Sequence, residues 1–188
     1  PVIYPDITYS FYPVWCEMLH IPFETIPVDD SFNINAADYK RPNGGVVIAN
    51  PNAPTSIGRG LDFMREILDA NPDSVVISDE AYVDFGGTSS VPLLKEYENL
   101  VVVQTFSKSR SMAGMRIGYA LGNKEIISAL FAAKDSYNSY PLDSVAIAAG
   151  VASVEDEEYF RATVQKVVAT RRRLTEELRA LGVDVADS

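Results

Sequence analysis

Three short runs constrain this chain more than anything else in it: Val46-Val-Ile-Ala49, Val75-Val-Ile-Ser78 and Leu100-Val-Val-Val103. Each is a continuous apolar, mostly β-branched segment rather than an alternating one, which is the pattern of a strand buried on both faces. Helical or long connections separate them. Strands of this kind belong to a parallel sheet covered by helices, so the expected fold class is α/β, a three-layer αβα sandwich around a mostly parallel sheet.

Polar residues follow each run: Asn50 and Asn52 after the first, Asp79 after the second, Ser107 and Lys108 after the third. Carboxyl ends of parallel strands share one rim, and that rim is where open α/β sheets bind ligands. Lys108 is delivered to a strand end, and Arg116, beyond a turn containing Gly114, brings a second cation back toward it. An amine beside a planar cationic fork suits an aldehyde cofactor that carries a phosphate. Pyridoxal phosphate needs an anion at its ring nitrogen, donors at its ring oxygen and a cationic phosphate cup. Asp79 is placed for the nitrogen, whose proton affinity a carboxylate raises. Tyr82 and an asparagine of the Asn50–Ser56 loop suit the ring oxygen, with Thr105, Ser107 and Arg116 for the phosphate.

Composition removes other classes. With 16 basic and 26 acidic residues the net charge is -10, which argues against a nucleic-acid surface. No apolar run approaches the about 20 residues of a membrane span, and no signal-peptide pattern opens the chain, so a cytoplasmic location is expected. The single cysteine, Cys16, and single histidine, His20, make neither a disulfide nor an N/S-ligand zinc site of the usual kind. Surrounded by Trp15, Met18 and Leu19, both read as packing residues.

Along the 188 residues, strands are expected over 1–5, 23–28 and 116–122, and helices over 9–19, 61–70, 124–134 and 143–154. Residues 29–42 read as loop or short helix, 93–97 as a short helical stretch. One long amphipathic helix is expected over 155–181, begun by Glu155-Asp-Glu-Glu158 and stopped by Gly182, with a further strand beginning in 182–188. Arg110 reads as a surface or inter-subunit group, and Arg171-Arg-Arg173 as a solvated face.

Four segments in order carry a resemblance: Asn50-Pro-Asn-Ala-Pro-Thr55, Ser78-Asp-Glu-Ala-Tyr-Val-Asp-Phe85, Thr105-Phe-Ser-Lys-Ser-Arg-Ser-Met-Ala-Gly-Met-Arg-Ile-Gly-Tyr119 and Asn138-Ser-Tyr-Pro-Leu-Asp143. Together they resemble the fold-type I pyridoxal-phosphate aminotransferases, and within them the histidinol-phosphate aminotransferases. The resemblance implies that Lys108 forms the Schiff base with the cofactor and moves the proton at the substrate's α-carbon. It implies that Tyr9 stacks on the cofactor ring, and that a homodimer acts on a small-molecule amino donor and a 2-oxo acid in a ping-pong reaction. A related decarboxylase or carbon–sulfur lyase, or a cofactor-binding remnant without turnover, would share these motifs. The family's ring-oxygen asparagine normally precedes Pro-Thr, where this chain has Ala53; Asn52 stands one residue earlier, and Ser56 replaces a usual glycine. By resemblance, residues 1–154 form a large cofactor-binding domain without its amino-terminal part. Residues 155–181 bridge to a small domain, which 182–188 begin.

Overall fold

A computed structural model describes residues 1–186. Six strands, β1 (Val2–Pro5), β2 (Phe23–Ile26), β3 (Gly45–Ala49), β4 (Val76–Asp79), β5 (Leu100–Thr105) and β6 (Gly118–Gly122), form one sheet in the order β2-β1-β3-β4-β5-β6. Strands β1 to β5 run parallel, and β6 returns antiparallel to β5 with Thr105 opposite Gly118. The α-helices are α1 (Phe11–Met18), α2 (Leu61–Ala70), α3 (Lys124–Tyr137), α4 (Ser144–Glu155) and α5 (Glu157–Ala180).

The continuous apolar runs lie where double-sided burial demands them. Ile3, Val46, Ile48, Val76, Leu100 and Val102 face a core sealed by Phe63, Met64, Ile67 and Leu68 of α2. Each fully buried aliphatic side chain of that kind contributes roughly 1.5–3 kcal/mol. Successive strand residues point to opposite faces. Tyr4 and Ala49 therefore meet Tyr12 and Cys16 of α1 on the other side of the sheet, giving the three layers. Helix α2 stops at Asn71, whose amide donates to the Ile67 carbonyl at 2.7 Å, and Pro72 follows.

Several boundaries differ from expectation for local reasons. Strand β6 starts at Gly118 instead of 116 because Arg116 takes a left-handed conformation at φ 55°. The helix expected over 155–181 begins only at Glu157. Asp156 both ends α4 and caps α5, accepting from the Tyr159 N–H at 3.1 Å. At the far end Gly182, at φ 81°, donates to the Arg179 carbonyl and Val183 to that of Leu178, a reciprocal C-terminal cap that needs a residue without Cβ penalty. Residues 183–186 join no strand, and the remainder of the strand expected there lies outside the described residues. Cys16 packs as expected, but His20 lies exposed beyond the end of α1 at φ 54°. Among the described residues no helix is long and apolar enough to cross a membrane.

Candidate active site

From β1 the chain moves outward to β2 and then crosses back to β3 on the opposite side of β1. That reversal opens a crevice at the carboxyl ends of β1 and β3, the usual ligand position in open α/β sheets. The loops after the two strands are latched together there. Thr8 Oγ1 donates to Asn52 Oδ1 at 2.7 Å, and the Asn52 amide donates to the Ile7 carbonyl at 2.8 Å and to Thr55 Oγ1 at 3.0 Å. Asn52 is buried, with both amide hydrogens engaged, so in this arrangement it has no donor left for a ring oxygen. Asn50 pins the same loop by a two-way bond pair with the Arg59 backbone.

Asp79 ends β4, with its side chain half-buried at the rim. Its Oδ1 accepts from the Ala81 N–H at 3.2 Å and its Oδ2 from the Tyr12 hydroxyl at 2.7 Å. Tyr12 is a residue that sequence reasoning missed. It stands in the first turn of α1, three residues after Tyr9, which precedes the helix, and the two rings meet edge to face at 5.5 Å. The Tyr12 ring also meets Tyr4 at 5.7 Å and Trp15 at 6.2 Å. Burial pushes its phenol far above the ordinary range, and the charge and hydrogen bond of Asp79 push the same way. In this bond the Tyr12 hydroxyl donates and Asp79 Oδ2 accepts. Tyr9 keeps 42% of its surface exposed and stacks on Phe11.

Lys108 follows β5, exposed and with no carboxylate within ion-pair distance among the described residues. Its Nζ lies 5.2 Å from the centre of the Tyr82 ring. Thr105, Ser107 and Arg116 line one cavity of about 430 Å³ with Gln104 and Tyr119. The Thr105 hydroxyl accepts from the Ser107 N–H at 3.0 Å and donates to the Ile117 carbonyl at 3.2 Å, tying the two sides of the turn. Arg116 donates to the Ala113 carbonyl at 2.9 Å and otherwise faces solvent.

Two further residues brace the rim. Glu80 is 1% exposed, and its carboxylate accepts from Ser89 Oγ at 2.7 Å, Gln104 Nε2 at 2.8 Å, Ser78 Oγ and the Ser90 N–H. Tyr119 in turn donates to Gln104, so the network joins the loop after β4 to the β5–β6 edge. The only sequence signal for it is a carboxylate set among serines. Arg110, read from sequence as a surface or inter-subunit group, is instead held within the chain. Its guanidinium lies between Phe106 at 5.4 Å and Phe160 at 4.1 Å and donates to the Ser153 carbonyl, clamping the α4–α5 joint to the lysine turn.

The rim of the sheet thus carries a carboxylate held by Tyr12, a lysine without an ion-pair partner among the described residues, and a cavity lined by two hydroxyls and an arginine. The profile of the family "Aminotransferase class I and II" matches residues 1–188, and the chain belongs to that family. Over 189 aligned residues it is 55% identical to histidinol-phosphate aminotransferase 2 of Dechloromonas aromatica (strain RCB), covering all of this chain and 53% of that relative. The chain thus spans about half the length of the curated relatives it matches. The solved histidinol-phosphate aminotransferase of Clostridium acetobutylicum superposes with a TM-score of 0.86 at 23% identity, over 95% of this chain and 55% of that one. The enzyme of that name from Sinorhizobium meliloti, solved in complex with pyridoxal-5'-phosphate, gives 0.80 at 22% identity, over 97% and 51%. These two likenesses speak for the fold alone, a three-layer α/β domain.

Proposed function

We propose that this chain is the cofactor-binding portion of a pyridoxal-phosphate-dependent aminotransferase that exchanges an amino group between histidinol phosphate and a 2-oxo acid such as 2-oxoglutarate. The observation that carries the proposal is the rim itself: Asp79 held by Tyr12, Lys108 without an ion-pair partner, and Thr105, Ser107 and Arg116 around one cavity. The high identity to a histidinol-phosphate aminotransferase supports the substrate class.

The donor set fits the cofactor. Asp79 would pair with the pyridine nitrogen of the cofactor, and Tyr9 would pack against its ring. Tyr82 donates to the ring oxygen, the role that Asn52 is too fully engaged to share. Arg116 receives the phosphate as a planar fork, with the Thr105 and Ser107 hydroxyls beside it. When bound, pyridoxal phosphate supplies an electron sink for the negative charge that develops at the substrate's α-carbon. Lys108 would hold the cofactor through Nζ, and the same amine would be the group placed to carry the proton at that carbon. Residues 1–154 are the large domain in this proposal, 155–181 the bridging helix and 182–188 the first residues of a small domain that grips the substrate. The working enzyme is a cytoplasmic homodimer.

The test is to mix the purified chain with pyridoxal phosphate, record the visible absorption of lysine-bound cofactor, reduce with borohydride and map the modified peptide. Label on Lys108, absent from Lys108→Ala, supports the proposal. Label on another lysine, or none, overturns it.

A further inference from the structure

Lys108 and Tyr82 belong to different loops, and the pairing of β4 with β5 does not by itself fix one against the other. The last residues that the two strands pair are Asp79 and Val103, and both Tyr82 and Lys108 lie beyond that rung. A lysine stem is flexible, so its amine keeps a given distance from a ring only if the two backbones are held at a suitable separation. Three hydrogen bonds cross between the loops past the rung. The Glu80 N–H donates to the Val103 carbonyl at 2.8 Å, Gln104 Nε2 donates to Glu80 Oε2 at 2.8 Å, and Ser109 Oγ donates to Asp84 Oδ2. The third is the one nearest the two functional side chains: Ser109 directly follows Lys108, and Asp84 sits in the single 3₁₀ turn Val83–Phe85 that starts from Tyr82.

The two partners differ in burial. Ser109 is 5% exposed, and a hydroxyl taken that far out of water needs a partner. Asp84 is exposed and has no cation within ion-pair distance among the described residues. A surface carboxylate therefore reaches inward to a buried hydroxyl, and a charged acceptor makes that bond stronger than a neutral one. Both ends of the bond are seated. On one side the Val83 N–H donates to the Glu80 carbonyl at 3.2 Å, and Arg171 of α5, read from sequence as part of a solvated face, donates Nη1 to the Phe85 carbonyl at 2.9 Å. On the other, the Ser111 N–H donates to the Lys108 carbonyl at 3.0 Å and the Met112 N–H to the Phe106 carbonyl at 3.0 Å. Two closed turns are thus fastened to each other at one point, and the Lys108 amine stands 5.2 Å from the centre of the Tyr82 ring.

We propose that Asp84 and Ser109 are positioning residues for Lys108: their hydrogen bond sets the separation of the lysine turn from the Tyr82 turn, so that amine and phenol are presented together to one ligand. The bearing of this on the cofactor rests on the function proposed above, in which the two groups address the aldehyde and the ring oxygen of one molecule. Misplacing one reacting group slows a reaction far more than it weakens a fold.

The experiment has one readout without cofactor and one with it. In the chain labelled with ¹³C at lysine Cε, the Lys108 signal, identified by its loss in Lys108→Ala, is expected upfield of those of the exposed lysines because of the Tyr82 ring, and Tyr82→Leu should return it to their position. Asp84→Ala and Ser109→Ala should each do the same, with the double variant moving it no further than either alone. Asp84→Asn, which keeps an oxygen to accept from Ser109, should retain most of the shift. Mixed with pyridoxal phosphate and trapped with borohydride at short times, Asp84→Ala should label Lys108 about tenfold or more slowly than the unaltered chain, and Asp84→Asn should recover most of the rate. Asp84 is exposed, so its variants carry the test even if Ser109→Ala does not fold. An unmoved Lys108 signal or an unchanged labelling rate in Asp84→Ala, or Asp84→Asn behaving like Asp84→Ala, would each overturn the proposal. An unaltered chain that shows the shifted Lys108 signal but takes no label there would instead sink the function proposed above and leave the positioning of the amine standing.

Discussion

Removing one hydroxyl, in Tyr12→Phe, isolates what holds the site's carboxylate in place. The substituted ring keeps its contacts with Tyr4, Tyr9 and Trp15, so no cavity opens, and only the 2.7 Å bond to Asp79 is lost. A hydrogen bond to a charged acceptor contributes about 1.5–3 kcal/mol. Asp79 is half-buried, so water replaces part of the loss, and about 1.5 kcal/mol is expected. For a chain of this size that corresponds to a fall in melting temperature of about 3–6 °C. Urea unfolding followed by circular dichroism at pH 7, on Tyr12→Phe, Asp79→Ala and the double variant, gives the coupling directly. A coupling of about 1 kcal/mol or more is expected, with unchanged m-values. Additivity to within about 0.3 kcal/mol would refute the claim that this bond positions the carboxylate.

The same phenol sets an alkaline limit. Burial raises Tyr12, and raises Tyr4 to about 12, with Cys16 and Glu17 charge adding at Tyr4. The native state then keeps protons that the unfolded chain releases near its ordinary value of about 10. Stability should be flat with respect to these groups below that pH and fall above it, less steeply in Tyr12→Phe; equal slopes in urea unfolding between pH 9 and 11 would contradict this. Gly87→Ala should destabilise by about 1–3 kcal/mol, because its Cβ would stand 2.9 Å from Pro51 Cδ and 3.2 Å from Val83 Cα. Gly114→Ala, with nothing within 4 Å, is the near-neutral control in the same melts. Arg110→Ala removes the clamp between Phe106 and Phe160, and amide hydrogen exchange over residues 157–163 should quicken severalfold while that of β3 and β4 does not.

The central strands were legible because burial on both faces leaves a continuous apolar trace that no amphipathic helix produces. Strand order was not, since nothing within β1 or β6 states which neighbour it pairs with; that is decided by packing between segments far apart in the chain. The break between the last two helices was legible to within two residues, and it falls at Asp156 because that one aspartate ends α4 and caps α5. At the rim, Asp79, Lys108 and Arg116 stand out because charged residues at strand ends carry chemistry in their type. Tyr12 does not, because its bond to Asp79 exists only once α1 lies over the sheet, joining residues 67 positions apart. Asn52 shows the converse: the right residue type in the right loop, with its donors absorbed by Ile7 and Thr55.

The antiparallel return of β6 also bears on how sequences of this kind can diverge in length. Thr105 and Gly118 are paired across β5 and β6, so the turn over residues 106–117 is closed at its base independently of the rest of the sheet. Residues gained or lost in the exposed parts of the connection between β2 and β3, outside the buried Ile34, Ala36 and Tyr39, leave the turn between Lys108 and Arg116 untouched, and exposed segments absorb such changes readily. A single residue inserted between Lys108 and Arg116 has nowhere to go: it must either displace one cation from the other or slip the register, which turns each side chain of the slipped strand to the opposite face. Length in this family should therefore drift freely around the sheet and stay frozen inside one hairpin.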